Sequence, residues 1–228
     1  MSHATDRTTT SPPRAGSSAP GRARSVTLAV VLTAELMNAL DGSVVYTALP
    51  SIAADTGATA AALQWIDAAY VLTFALGLIT GGRLGDRYGR RRIFLAGTAF
   101  FTLSSLLCGI ASGPDLLIAA RVLQGAAAAV MVPQVLATLH ITYDEGSRAK
   151  AFGLYGTVMS LGSVIGPVLG GVLNQADLFG LGWRPIFLIN LPIGIAAVIL
   201  GRHFLPESHN RTTRLDRSAC SCPRSACC

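Results

Sequence analysis

Long apolar runs alternate with short polar or basic connections through most of the chain. Six runs reach the roughly 20 residues needed to cross a hydrocarbon layer about 30 Å thick. They cover about 26–46, 61–80, 93–111, 116–139, 151–173 and 186–204. Backbone N–H and C=O groups have no partner in lipid, so each run is expected to be an α-helix. The pattern predicts an all-α membrane protein with a bundle of six transmembrane helices over residues 25–204. Residues 1–24 are polar and rich in Ser, Thr, Pro and Arg, the composition of a disordered tail. The first apolar run is longer than the core of a signal peptide and carries acids, so it reads as a retained span.

Composition agrees with a membrane location. Of the 228 residues, 51% are hydrophobic and only 13% charged, about half the charge of a soluble globular chain. The formal net charge is +6, and the basic residues alternate from one connection to the next. Arg7, Arg14, Arg22 and Arg24 precede the first run, while residues 49–59 carry no Lys or Arg. The second connection holds Arg83, Arg87, Arg90, Arg91 and Arg92; the third, near 112–115, holds none. The fourth has Arg148 and Lys150, the fifth only Arg184, and the last segment Arg202, Arg211, Arg214, Arg217 and Arg224. Lys and Arg hold span ends in the cytoplasm. The sequence therefore predicts a multi-pass protein of the cytoplasmic membrane with both termini cytoplasmic. A nucleic-acid binder would instead set its basic residues along one face, so nucleic acid is not an expected partner.

Ionisable residues inside a span cost about 2.5–3.5 kcal/mol or more and mark water paths or binding sites. Four stand out: Glu35 and Asp41 in span 1, Asp67 in span 2 and Arg121 in span 4. At about 1.5 Å of rise per residue, Asp41, Asp67 and Arg121 fall in one depth zone in the outer half of the membrane. They could face a common cavity. Against that, Asp67 and Arg121 could be interfacial groups reaching for water, whereas the short Asp41 side chain reaches poorly. Glu35 lies nearer the middle, as a proton carrier, a counter-charge for a cationic substrate, or a neutral passenger in a helix interface. Asp41, with Arg121 beside it, is expected to exchange protons during transport.

In span 5, Gly162, Gly166 and Gly170 recur every four residues and form a smooth stripe that lets another helix approach closely. Pro167 removes a backbone donor and is expected to bend the helix. The stripe alone would serve as an ordinary packing or dimerisation face. With Pro167 and Gly171 added, it reads as a bent, specialised element.

Four motifs then fall in order. Leu40-Asp41-Gly42-Ser43-Val44-Val45-Tyr46-Thr47-Ala48-Leu49-Pro50 ends span 1. The segment from Gly82 to Arg91, with Gly82, Gly85, Asp86, Arg87, Gly89, Arg90 and Arg91, joins spans 2 and 3. Arg121-Val122-Leu123-Gln124-Gly125-Ala126-Ala127-Ala128-Ala129 lies in span 4, and Gly162 to Gly171 in span 5. Trp183-Arg184 and Ile186 to Gly194, including Asn190, lead into span 6. Together they resemble the major facilitator superfamily, in its fourteen-span drug/proton antiporter branch (the EmrB/QacA type), N-terminal half only. The resemblance covers roughly residues 26–216. It implies that Asp86 and the arginines around it brace the cytoplasmic side as a gating loop. It implies that Arg121 takes part in proton coupling, and that Asp41 and Asp67 act on protons or cation recognition. The span-5 stripe would form the interface that moves against the second half and would favour antiport. The substrate would be a small amphiphilic or cationic drug-like molecule. The proton gradient would supply the energy, without a cofactor. Ser43, Tyr46, Thr47, Ala127 and Pro185 depart from the family pattern. Tyr46 sets a large phenol where a small amide is expected.

The family fold needs two halves with the substrate between them, and this chain supplies one. Residues 205–228 read as a cytoplasmic tail, truncated or out of frame from about residue 217 onward. Cys220, Cys222, Cys227 and Cys228 crowd its end, in a spacing that fits no familiar zinc motif. The alternative is a genuine tail that binds metal or carries acyl groups. The expected function is proton-coupled multidrug efflux by an N-terminal half whose partner is a missing C-terminal half or a second copy. Competing readings are a homodimeric six-span transporter and a stand-alone six-span protein that acts as a packing partner or regulator. An enzyme is not expected. The Gly-rich segment lacks the strand of a dinucleotide-binding turn, and His3, His140, His203 and His209 are scattered.

Overall fold

A computed structural model describes residues 21–176 and 180–205. The tail segments 1–20 and 206–228, with the four clustered cysteines, lie outside the described residues. Among the described residues seven helices account for the six spans: α1 (Gly21–Thr56), α2 (Ala60–Tyr88), α3 (Arg90–Gly109), α4 (Pro114–Thr142), α5 (Glu145–Gln175), α6 (Pro185–Leu188) and α7 (Asn190–Phe204). Helices α6 and α7 form one apolar stretch, broken only at Ile189, so six stretches are long and apolar enough to cross a membrane. No strand occurs among the described residues.

Connections are short, so successive spans run antiparallel. Gly57, at φ 66°, turns the chain out of α1, and the Thr59 hydroxyl accepts a hydrogen bond from the Ala62 N–H to cap α2. Gly113 and Pro114 start α4, where proline costs no helical hydrogen bond. Pro50, Pro133 and Pro167 lie within helices that continue through them. Three boundaries differ from the sequence reading. Helix α1 begins at Gly21, so residues 21–24 belong to it rather than to the tail. It also runs ten residues past Tyr46, to Thr56. The Arg-rich connection is hardly a loop: residues 82–88 complete α2, Arg90 opens α3, and Gly89 alone lies between them. Its φ of 96° is a left-handed backbone that glycine adopts freely.

Helix α2 lies along α4, α1 lies along α5, and α3 bridges α4 and α7. Glycines set both close seams. On α2, a Cβ at Gly81 would strike the Ala129 carbonyl, and one at Gly85 would strike the Gln134 amide. Gln134 instead donates to the Gly81 carbonyl at 2.8 Å. On α5, Gly162, Gly166 and Gly170 are buried against Ala39, Ser43 and Thr47 of α1. The Ser43 hydroxyl also donates to the Gly162 carbonyl at 3.1 Å. In this structure the stripe is filled by α1, a helix of the same bundle. The opposite face of α5 carries exposed Val164, Val168 and Val172, and α2 exposes Leu72, Leu76 and Ile79.

Candidate functional site

At the centre of the bundle α1, α3, α4 and α7 bring polar side chains together in an apolar surround. Asp41 and Arg121 are completely buried and paired, Nη1 to Oδ2 at 2.6 Å. The other carboxylate oxygen of Asp41 accepts from Gln124 Nε2 at 2.8 Å and from Asn190 Nδ2 at 2.9 Å. Three donors from two further helices thus hold one short acid. A buried charge is tolerated only with such compensation.

The shell around the pair is equally specific. Arg121 Nη1 donates to Gln124 Oε1 at 2.9 Å and Nε to the Ile66 carbonyl at 3.2 Å. Its guanidinium lies 4.1 Å from the centroid of the Tyr70 ring, a cation–π contact in a desolvated setting. Asn190 also donates to the Ser105 hydroxyl at 2.9 Å, which in turn donates to the Phe187 carbonyl at 2.9 Å. The Cys108 thiol approaches Gln124 Oε1 at 3.5 Å. Gly125 makes the arrangement possible. Any side chain there would meet the Tyr70 carbonyl, and α2 could not come near enough for Ile66 and Tyr70 to reach Arg121.

Of the three residues expected to share one depth, the structure brings two into contact. Asp41 and Arg121 touch, and Asp67 follows the residue whose carbonyl Arg121 holds. Its carboxylate faces elsewhere, accepting from the Tyr46 hydroxyl at 3.0 Å, while its second oxygen, Oδ1, closes no hydrogen bond. Tyr46 is exposed. The residue that departs most from the family pattern therefore serves as the partner of Asp67. Glu35 sits apart from the pair on the same helix, fully buried, with the Asn38 amide 3.4 Å from Oε1.

The basic end of α2 and α3 is a separate feature. Asp86 Oδ1 pairs with Arg90 Nη2 at 3.0 Å across the Gly89 joint. Arg90 also reaches the Ala137 carbonyl of α4 at 3.5 Å, and Arg91 donates to the Arg202 carbonyl of α7. Arg87 lies over the Tyr88 ring at 5.4 Å. Around Gly82 and Gly171 there is open space.

Sequence reasoning assigned no role to Tyr70, Asn38, Ser105 or Asn190. Gln124 and Asn190 stood inside recognised motifs without a partner. An amide within an apolar run was the available signal, since such a group demands a hydrogen bond in lipid.

A six-helix membrane bundle built around a buried acid–arginine pair is the architecture of one bundle of a secondary transporter. Residues 31–218 match the Major Facilitator Superfamily, and the chain belongs to that family. It is 47% identical over 188 residues to the probable actinorhodin transporter of Streptomyces coelicolor, covering 82% of this chain and 32% of that protein. It is 43% identical over 192 residues to the puromycin resistance protein pur8 of Streptomyces alboniger, covering 83% and 37%. It is 42% identical over 202 residues to the cephamycin export protein CmcT of Amycolatopsis lactamdurans, covering 86% and 41%. The chain therefore spans about a third of the length of the curated relatives it matches. Its fold also matches the inward-facing crystal structure of a bacterial homologue of the human lysosomal transporter Spinster. That match has a TM-score of 0.66 at 22% identity and covers 83% of this chain and 45% of the other. These relatives are transporters, not enzymes.

Proposed function

We propose that this bundle is the N-terminal half of a proton-coupled exporter of antibiotic-like molecules in the cytoplasmic membrane, with its basic end facing the cytoplasm. The buried Asp41–Arg121 pair, held by Gln124 and Asn190, carries this reading. Protonating Asp41 removes the negative charge that holds Arg121, so one proton can exchange one buried arrangement for another. Such a bistable contact is what a conformational cycle requires. Asp67 and Tyr46, near the outer end of span 2, form a polar group that a cationic substrate could meet.

The naming of its relatives as antibiotic transporters, exporters and resistance proteins supports a small amphiphilic or cationic substrate. Their greater length, with the exposed apolar faces of α2 and α5, supports a second helical bundle as partner. The Asp86–Arg90 pair and the Gly89 joint then brace the cytoplasmic end during the switch. The basic connections, at every second loop, support the orientation.

Ethidium efflux from membrane vesicles tests the coupling. The bundle co-expressed with the C-terminal half of an actinorhodin-type relative is expected to export the dye when a proton gradient is imposed. Asp41→Asn is expected to abolish the dependence on the gradient. Gradient-driven export unchanged in that variant rejects the assignment. Export by the chain expressed alone would favour the homodimer.

A further inference from the structure

Glu35 is the buried acid that the ion pair leaves unexplained. Its exposure is zero. Oε2 closes no short hydrogen bond, and Oε1 meets the Asn38 amide at 3.4 Å. The titratable groups facing it are tyrosines: Tyr155 of α5, whose hydroxyl interacts with the carboxyl at longer range, and Tyr70 of α2 beyond Asn38. The adjoining apolar cluster includes Ala34, Met37, Ala127 and Met131. Among the described residues no ion pair reaches Glu35.

The contrast with Asp41 is chemical. Asp41 has an arginine and two amides, a set of donors suited to an anion. Glu35 has only neutral donors near it, the Asn38 amide and the Tyr155 hydroxyl, and no cation, a setting that an anion inside a membrane does not tolerate. A protonated carboxyl fits, because it carries no charge and its O–H can donate to the Tyr155 hydroxyl oxygen.

Tyr70 joins the two sites. Its ring lies under the Arg121 guanidinium, and its hydroxyl donates to Asn38 Oδ1 at 2.7 Å. That bond fixes which way the Asn38 amide points, and the opposite end of the amide meets Glu35. A change in Arg121 therefore reaches Glu35 through one ring and one amide.

We propose that Glu35 is a second proton-exchange site, occupied by a proton in this conformation, and that Tyr70 is the positioning residue coupling it to the Asp41–Arg121 pair. The step is dissociation of one O–H bond, the proton passing to water when the bundle opens and the carboxylate remaining. Its meaning for transport rests on the proton-coupled reading above, but its test does not require transport.

Infrared absorption of the purified chain in lipid bilayers at neutral pH reads the carboxyl directly. A protonated carboxyl shows a C=O stretch above the amide band that moves in heavy water. The expected result is such a band in the unmodified chain, lost in Glu35→Gln and kept in Asp41→Asn. A spectrum without the band, or a band that survives Glu35→Gln, overturns the proposal. Tyr70→Phe keeps the ring over Arg121 and removes the hydroxyl, and is expected to shift the Glu35 band. Asp41→Asn should shift the band too, but not further once Tyr70→Phe is present. An undiminished second shift would overturn the coupling through Tyr70. Circular dichroism confirms that each variant keeps its helix content. If dye export proves independent of Asp41 while the Glu35 band behaves as stated, the transport reading fails and this one stands.

Discussion

Arg121→Leu is expected to destabilise the bundle by about 3–5 kcal/mol, because it leaves the Asp41 carboxylate buried without its cation. Gln124 and Asn190 would still donate to Oδ1, but Oδ2 would lose the 2.6 Å bond from Arg121. Tyr70 would lose the cation above its ring, and the Ile66 carbonyl its donor. Adding Asp41→Asn should recover much of the loss, because a neutral amide needs no cation and can bond to the same neighbours. The measurement is denaturant unfolding in detergent micelles, followed by the fluorescence of buried Trp183 in a Trp65→Phe background, since Trp65 is exposed. Equal cost for Arg121→Leu with and without Asp41→Asn would mean that the two charges are not coupled.

Gly81→Val is expected to be nearly as damaging, for a steric reason. The new Cβ would run into the Ala129 main chain, and a backbone atom cannot turn aside as a side chain does. Helices α2 and α4 must separate, which breaks the Gln134 bond to the Gly81 carbonyl and moves Ile66 and Tyr70 away from Arg121. Overpacking typically costs about 1–3 kcal/mol, and here the loosened ion pair adds to it. The neighbouring Gly82→Val should be neutral or slightly stabilising, since nothing lies within 4 Å of a Cβ there and valine is the better helix former. The same unfolding measurement compares the two. Equal losses would show that the seam is not the sensitive feature.

The number of spans was legible because an apolar run of membrane length has few alternative explanations. The Asp41–Arg121 pair was half legible: helical rise gave a shared depth, and depth alone leaves rotation about each helix free. Rotation is what hides Asn190 and Tyr70. In lipid both faces of a helix are apolar, so hydrophobic periodicity does not say which face turns inward. The α5 glycines illustrate the same loss. Their spacing marks a contact face, yet nothing in it distinguishes α1 from a helix of another bundle. The segment 82–91 looked like a loop because glycines and arginines crowd it. Arginine is a good helix former, and Gly81 and Gly85 serve a close helix contact rather than a turn.

The partners of Asp41 lie 80, 83 and 149 residues further along the chain. When α1 leaves the ribosome, none of them has been made. The acid must therefore enter the bilayer, or wait at the insertion channel, without its counter-ion. It first meets an arginine once α4 arrives, and its last amide only with α7. The same is true of the α1–α5 seam, whose Ser43 bond to Gly162 spans 119 residues. Biogenesis is thus a period of debt for the first helix, settled late. Variants that weaken α4 or α7 should expose α1 to membrane quality control before any transport step is reached.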